Sequence, residues 1–287
     1  MVELVEGVVA PMVEDVVTPA GPYRLALVAR GSVWRGALPG RRTAVARQRS
    51  DGRVVVRAPD EEALRLARFM LAIDDDTSGF HERFARDPLI GPSSRALVGY
   101  RPRRVATVAH ALVRAMSGQL IEARRARAIE RAIARACGDE VVTQDALRRL
   151  SPVELRRLGL AQHRATTLQR LAVTIELESL RTHPTRTVAS RLGRERCVGP
   201  WSVGVVALEG LGRYDHGLVG DLSLVKLQAA LTGRWVEGHE TADLLAPYEE
   251  WQGLACEILL LGWARGLVPG ASTDLARVAR RRARRAA

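Results

Sequence analysis

The spacing of apolar residues changes once along this chain, and that change limits the fold to strands followed by helices. From Tyr23 to about Arg57 the segments YRLALVAR, RTAVARQR and RVVVRA alternate or run β-branched, as strands do, and Ser50-Asp51-Gly52 between the last two has hairpin-turn chemistry. From Asp60, a candidate N-cap, DEEALRLARFMLAI takes up helical spacing. Turn formers gather in DDDTSGF and DPLIGPSS, and the pattern beyond them is helical. Val105, Val108, Ala109, Leu112, Val113 and Met116 share one apolar face. Ser151-Pro152-Val153-Glu154 is a capping box with proline at the first helical position, closed by Gly159. Ala165, Leu168, Ala172 and Ile175 carry a helix that His183-Pro184 stops, and further helices are expected at 187–192, 201–211, 222–231 and 247–262. The expected class is α+β: a small N-terminal antiparallel β-sheet domain with helices (1–88), an all-α region (89–270) and a basic C-terminal tail (271–287), a frayed helix end or solvated arm.

A chain of 287 residues can bury a substantial core, and its length suits two domains. Its 47% hydrophobic and 26% charged residues are a globular composition. The longest apolar candidate, LACEILLLGW, carries Glu257 and falls short of the roughly 18 residues that a membrane helix needs, so no membrane partner is expected. The opening MVELVEGVVAP is acidic and lacks the pattern of a cleaved secretory signal, so a cytoplasmic protein is expected. Cys137, Cys197 and Cys256 are isolated, and none of the histidines sits in HxxxH or HExxH spacing. Neither a disulfide framework nor a zinc site is indicated, and no cofactor is expected. The formal charge of +12 names the partner class, because a polyanion such as nucleic acid complements this surface.

The stretch RCVGPWSVGVVALEGLGRYDHGLVGDLSLVK concentrates the chemistry. Leu192 to Gly199, leading into Pro200-Trp201, reads as two helices joined by a glycine-containing hairpin. Such a turn reads phosphate without side-chain charge, since the amides at the second helix's start point outward at its positive end. Asp221 then stands at the N-cap of LSLVKLQAAL, where backbone N–H groups hold a carboxylate in place. A fixed anion beside a phosphate chain opposes simple binding, so its presence invites a catalytic explanation. Two rival motifs fail. PWSVG around Ser202 lacks the first glycine and the preceding strand of a nucleophile elbow. GLGRYD from Gly210 puts Asp215 where a dinucleotide loop needs its third glycine.

On ALVRAMSGQLIEARRARAIERAI, LSPVELRRLGLAQHRATTL, CVGPWSVGVVALEGLG followed by VGD, and YEEWQGLACEILL, the chain resembles the helix-hairpin-helix DNA glycosylases, in their 3-methyladenine DNA glycosylase II branch. The resemblance implies an enzyme that flips a damaged base from the duplex and cuts its N-glycosidic bond. It puts Asp221 on the catalytic aspartate and Trp201 and Trp251 on aromatic walls of the base pocket, with Val205 and Leu222 where the best-known branch has aromatics. Leu120 falls on the wedge that fills the vacated stack, Gln119 on the same loop, and Val198, Gly199 and Ser202 on the phosphate-binding hairpin, where Cys197 replaces the usual first glycine. Family hairpins also bind a monovalent cation through backbone carbonyls, while no side-chain metal site is implied. Relatives that nick the strand use a lysine at the start of the hairpin's second helix; Ser202 stands there, and the only lysine of the chain is Lys226, so base removal alone is expected. Relatives with an iron-sulfur cluster carry four grouped cysteines near the C-terminus, and only Cys256 lies there. The implied partner is double-stranded DNA with damaged bases, bound by a monomer. Two alternatives stay open: a noncatalytic hairpin protein that binds damaged DNA, and a glycosylase for deaminated or oxidised bases.

Overall fold

The computed structural model describes residues 12–119 and 122–286. Its four strands, β1 (Val13–Val17), β2 (Val33–Leu38), β3 (Arg42–Gln48) and β4 (Val54–Ala58), form one antiparallel sheet in the order β1-β4-β3-β2. The register sets Val17 opposite Val54 and Gly36 opposite Ala44. The β3–β4 hairpin turns at Ser50-Asp51-Gly52 as the sequence indicates. There the Asp51 Oδ1 accepts the Arg53 N–H at 3.1 Å and Gly52 takes φ +87°.

One expectation is corrected. YRLALVAR is not a strand but a short helix, α1 (Leu25–Ala29), which buries Leu25 and Val28 three residues apart and ends on Arg30 in the left-handed region. A five-residue apolar run satisfies both periods, so its burial decides. The strands that replace it, β1 and β2, were not read from the sequence.

Helix α2 (Glu61–Leu71) starts at Asp60, whose Oδ1 accepts the Ala63 N–H at 2.8 Å. It lays Ala63, Leu64, Ala67 and Leu71 over Leu38, Ala44, Ala46, Val54 and Val56, forming the first core. The chain passes to a second, helical core between Ile73 and Phe80. This core begins with α3 (Ser78–Phe84) and α4 (Gly91–Ala96), so Phe80 and Phe84 pack with the helical region although they precede residue 89.

At its centre lies α5 (Val108–Gly118), buried on nearly every side. Leu112 and Met116 are 1% and 0% exposed, and burying each contributes about 1.5–3 kcal/mol. Around it run α6 (Ala123–Ala136), α7 (Gln144–Arg148), α8 (Pro152–Arg157) and α9 (Gln162–Thr174). The capping box ahead of α8 is present, with the Ser151 Oγ accepting the Glu154 N–H at 3.2 Å and Glu154 accepting the Ser151 N–H at 2.8 Å. Helices α10 (Thr185–Gly193) and α11 (Pro200–Val205) form the hairpin, and α11 continues as a π-helical turn over Val206–Leu211. After α12 (Leu222–Thr232), α13 (Thr241–Leu245) and α14 (Gln252–Ala264), the chain ends in α15 (Thr273–Ala286). The arginine-rich end, expected as a frayed or solvated arm, is a helix docked along α12. Ala276 and Ala279 are buried at 5% and 1%, a small-residue seam that the arginine count hides. No helix among the described residues is long and apolar enough to cross a membrane.

The two cores are tied by buried arginines. The Arg104 side chain, 4% exposed, pairs with Asp75 and donates to the carbonyls of Phe69 at 3.3 Å and Gly212 at 3.0 Å. Arg101, fully buried, donates to the carbonyls of Ala20 at 2.8 Å and Asp75 at 2.7 Å and to the Thr77 hydroxyl.

Candidate active site

Helices α10 and α11 meet through the turn Arg194–Gly199. Glu195, buried beneath it, accepts from Arg191 at 2.7 Å and from Arg170, which pins the turn from below. Cys197 holds φ +69°, a left-handed conformation that costs a side chain about 1–2 kcal/mol and that glycine adopts freely. The turn expected from glycine geometry is therefore made with a cysteine. Val198 anchors it in the helical core at 5% exposure, and Gly199 is exposed. Pro200 opens α11 without a donor, and the next amides, of Trp201 and Ser202, have no carbonyl to bond within the helix.

Gln119, at the end of α5, braces the hairpin. Its Nε2 donates to the Cys197 carbonyl at 2.7 Å and to the Ser202 Oγ at 2.6 Å, while its own carbonyl accepts from Arg164 at 3.0 Å. The Ser202 side chain is 1% exposed. Both residues were expected to touch DNA. The structure instead spends the Gln119 amide and the Ser202 hydroxyl on each other, leaving the Ser202 backbone amide for an outside ligand. Leu120, the expected wedge, lies outside the described residues.

Asp221 caps α12, its Oδ1 accepting the Ser223 N–H at 2.7 Å. Its Oδ2 accepts the Trp201 indole N–H at 3.0 Å, so the carboxylate is joined to the first turn of α11 across twenty residues of chain. Two glycines permit this closeness. A Cβ on Gly204 would stand 2.4 Å from the Gly217 carbonyl oxygen, so α11 can lie against the loop that leads to Asp221 only with hydrogen there. A Cβ on Gly118 would stand 2.7 Å from the Trp201 ring, so the indole rests directly on the end of α5. Leu222, beside the carboxylate, is 56% exposed, unusual for a leucine at a helix start.

The remaining expected pocket residues divide. Trp251, half-buried, stacks on Tyr214 with ring centroids 5.9 Å apart and meets Phe80 edge-on at 6.0 Å. The Tyr214 hydroxyl donates to Asp75 at 2.5 Å, and burial, with Asp75 beside it, holds that hydroxyl protonated well above the usual tyrosine range. Val205, expected at the pocket wall, is packed in the helical core at 5% exposure because its side of α11 faces inward. Below the site, burial pushes the Glu257 carboxyl above the usual carboxylate range, and the Tyr100 hydroxyl donates to it at 2.8 Å. The structure thus joins Trp201, Asp221, Gln119 and Ser202 around the hairpin, and puts Trp251 in an aromatic stack of its own. Among the described residues, no three His, Cys, Asp or Glu side chains are grouped to hold a metal ion.

By sequence, no protein-family model and no curated protein matches the chain. Solved structures do match by shape. The 3-methyladenine DNA glycosylase of Archaeoglobus fulgidus superposes with a TM-score of 0.69 at 18% identity, over 88% of this chain and 98% of that one. The 8-oxoguanine glycosylase/lyase of Clostridium acetobutylicum, bound to double-stranded DNA, gives 0.66 at 14% identity over 88% and 98%. The 3-methyladenine DNA glycosylase of Schizosaccharomyces pombe, bound to abasic DNA, gives 0.57 at 16% identity over 68% and 100%. The fold is that of the helix-hairpin-helix DNA glycosylases.

Within this glycosylase fold, four positions near the site went unread in the sequence. Gly118 seats Trp201, and its only signal is a glycine closing an apolar helix. Tyr214 backs Trp251 from within GLGRYD, which the sequence offered only as a failed dinucleotide motif and the start of a loop. Asp75 and Arg104 reach the same stack from distant parts of the chain, which no local pattern reveals.

Proposed function

We propose that this protein is a monofunctional DNA glycosylase that turns alkylated bases of the 3-methyladenine type out of duplex DNA and hydrolyses their N-glycosidic bond, acting as a monomer. The observation that supports this most is the Trp201–Asp221 hydrogen bond, which holds a carboxylate at the mouth of a phosphate-reading hairpin. Free amides of Trp201 and Ser202 grip a backbone phosphate, and the flipped nucleotide places its sugar near Asp221. An alkylated purine is already cationic, so the C–N bond breaks with its electron pair passing to the base, which leaves neutral. The oxocarbenium-like sugar that remains is stabilised by Asp221, and water adds to its anomeric carbon while the carboxylate or solvent takes the proton. Ser223 and Trp201 fix one carboxylate oxygen each, so the charge is aimed before reaction. Trp201 thereby positions Asp221 as well as offering an indole face to a cationic base.

A second reading, a glycosylase for oxidised bases, takes support from the likeness to the Clostridium enzyme. A lyase step is disfavoured because the only lysine, Lys226, lies on α12 rather than at the hairpin. One panel separates these: duplexes carrying a methylated, deaminated or oxidised base, scored for abasic sites that break only after alkali. Release of the methylated base supports the proposal, release of the oxidised one the second reading, and release of none a binding protein.

Gly118→Ala tests the seating of Trp201. The added methyl pushes the indole off the carboxylate, and base release is expected to fall about 10- to 100-fold, the scale of a misplacement near 1 Å, with DNA affinity kept. Unchanged release would show that the indole's position does not matter.

A further inference from the structure

Helix α6 carries a second feature that the hairpin chemistry does not use. Arg124, Arg127, Arg131 and Arg135 recur at intervals of three, four and four, and at about 100° per residue they fall within one arc of about 80°. Ile129 and Ile133 are buried on the opposite side of the helix and Ala134 is buried at the edge of the stripe, and all four arginines are exposed. Among the described residues none of the four has a carboxylate within ion-pair distance. Glu130, the one acid within the helix, turns inward to His110 at 3.0 Å and Arg114 at 3.3 Å.

This arrangement opposes helix stability. Neighbouring like charges three and four apart repel, and the first turn holds Arg124 and Arg125 with no acid of its own, the N-cap Glu122 making no side-chain capping bond. A solvated helix face ordinarily mixes signs, as α2 does with Glu61 and Glu62 in its first turn and Arg68 in its last. Location adds the second argument. The N-cap of α6, Glu122, follows three residues after Gln119, which is bonded to the hairpin turn. From there the stripe runs about 16 Å to the groove beside the β2–β3 turn, where Arg41 meets the Gly138 carbonyl at 3.1 Å and where Asp139 and Glu140 end the basic run.

We propose that this stripe is a phosphate track, a second and sequence-independent surface that seats one flank of the duplex whose damaged nucleotide lies at the hairpin. Its length matches about five base-pair steps, and bound phosphates remove the repulsion that the free helix carries. The assignment rests on the DNA-glycosylase reading.

The test replaces the four arginines together by glutamine, with a four-lysine variant as control, and measures binding of a 30-base-pair duplex with a central methylated base across a salt series. Each phosphate contact contributes about 0.9 to the slope of log affinity against log salt, so the glutamine variant should lose about two to four units of slope, and lysine should retain them. Hydroxyl-radical footprinting should show protection lost on one flank and kept at the damaged base, while base release at saturating protein stays within about twofold. The glutamine variant should melt no lower than the wild type, which separates the effect from misfolding. A wild-type slope and footprint in the glutamine variant overturn the track and leave the glycosylase reading standing. A wild-type protein that neither binds the duplex nor releases the base overturns both.

Discussion

Asp221→Asn is expected to abolish base release, with a fall of about 10³-fold or more, while DNA binding stays equal or tightens. The size follows from the charge: a preorganised group aimed at a developing cation supplies on the order of 10²–10³ or more, and asparagine keeps the shape without the charge. Binding should improve because, on the proposed function, the carboxylate repels the backbone phosphates held at the hairpin. The structure adds a further consequence. Asp221 accepts two N–H donors, Ser223 on one oxygen and Trp201 on the other, and the asparagine amide has a single acceptor oxygen. One donor loses its partner, so the variant should also be destabilised by about 1 kcal/mol. Single-turnover release, equilibrium binding and a thermal melt read the three effects. Wild-type release would remove Asp221 from the chemistry.

Asp75→Ala should produce the largest loss of stability, about 3–5 kcal/mol, because it strands a buried cation. The Arg104 side chain is 4% exposed and Asp75 is its only carboxylate partner among the described residues. The Tyr214 hydroxyl loses its acceptor in the same step. For a chain of this size the melting temperature should drop by about 6–15 °C. Asp75→Asn keeps an acceptor and should fall less. Tyr214 stacks on Trp251, so, if Trp251 lines the base pocket as proposed, the loss should also appear as a changed ratio among released bases. An unchanged melt would mean that the two cores are not held together through this contact.

Local chemistry was legible in the sequence and long-range contact was not. Asp60, Ser151 and Asp221 were read as helix caps because the capping donors lie two or three residues away, and each accepts those bonds in the structure. The order of sheet and helices followed from one change of period. Leu25–Ala29 became a helix rather than a strand because five apolar residues fit both periods, and only packing under α2 and the sheet decides. The C-terminal arginines hid an alanine seam. The bond from Trp201 to Asp221, the Gln119 brace and the Tyr214–Trp251 stack join residues 20, 78 and 37 positions apart, distances at which spacing carries no signal. Val205 was placed at the pocket by the resemblance, yet its face of α11 turns into the core.

A structure of the protein on a duplex whose damaged nucleotide is replaced by a cationic pyrrolidine ring, a mimic of the charged sugar, tests the central claim most directly. The account places an Asp221 oxygen within about 4 Å of the ring nitrogen, at ion-pair distance, with the Trp201 and Ser202 amides on a nearby phosphate. A ring bound on another face, with Asp221 turned from it and still held only by Ser223 and Trp201, would contradict it.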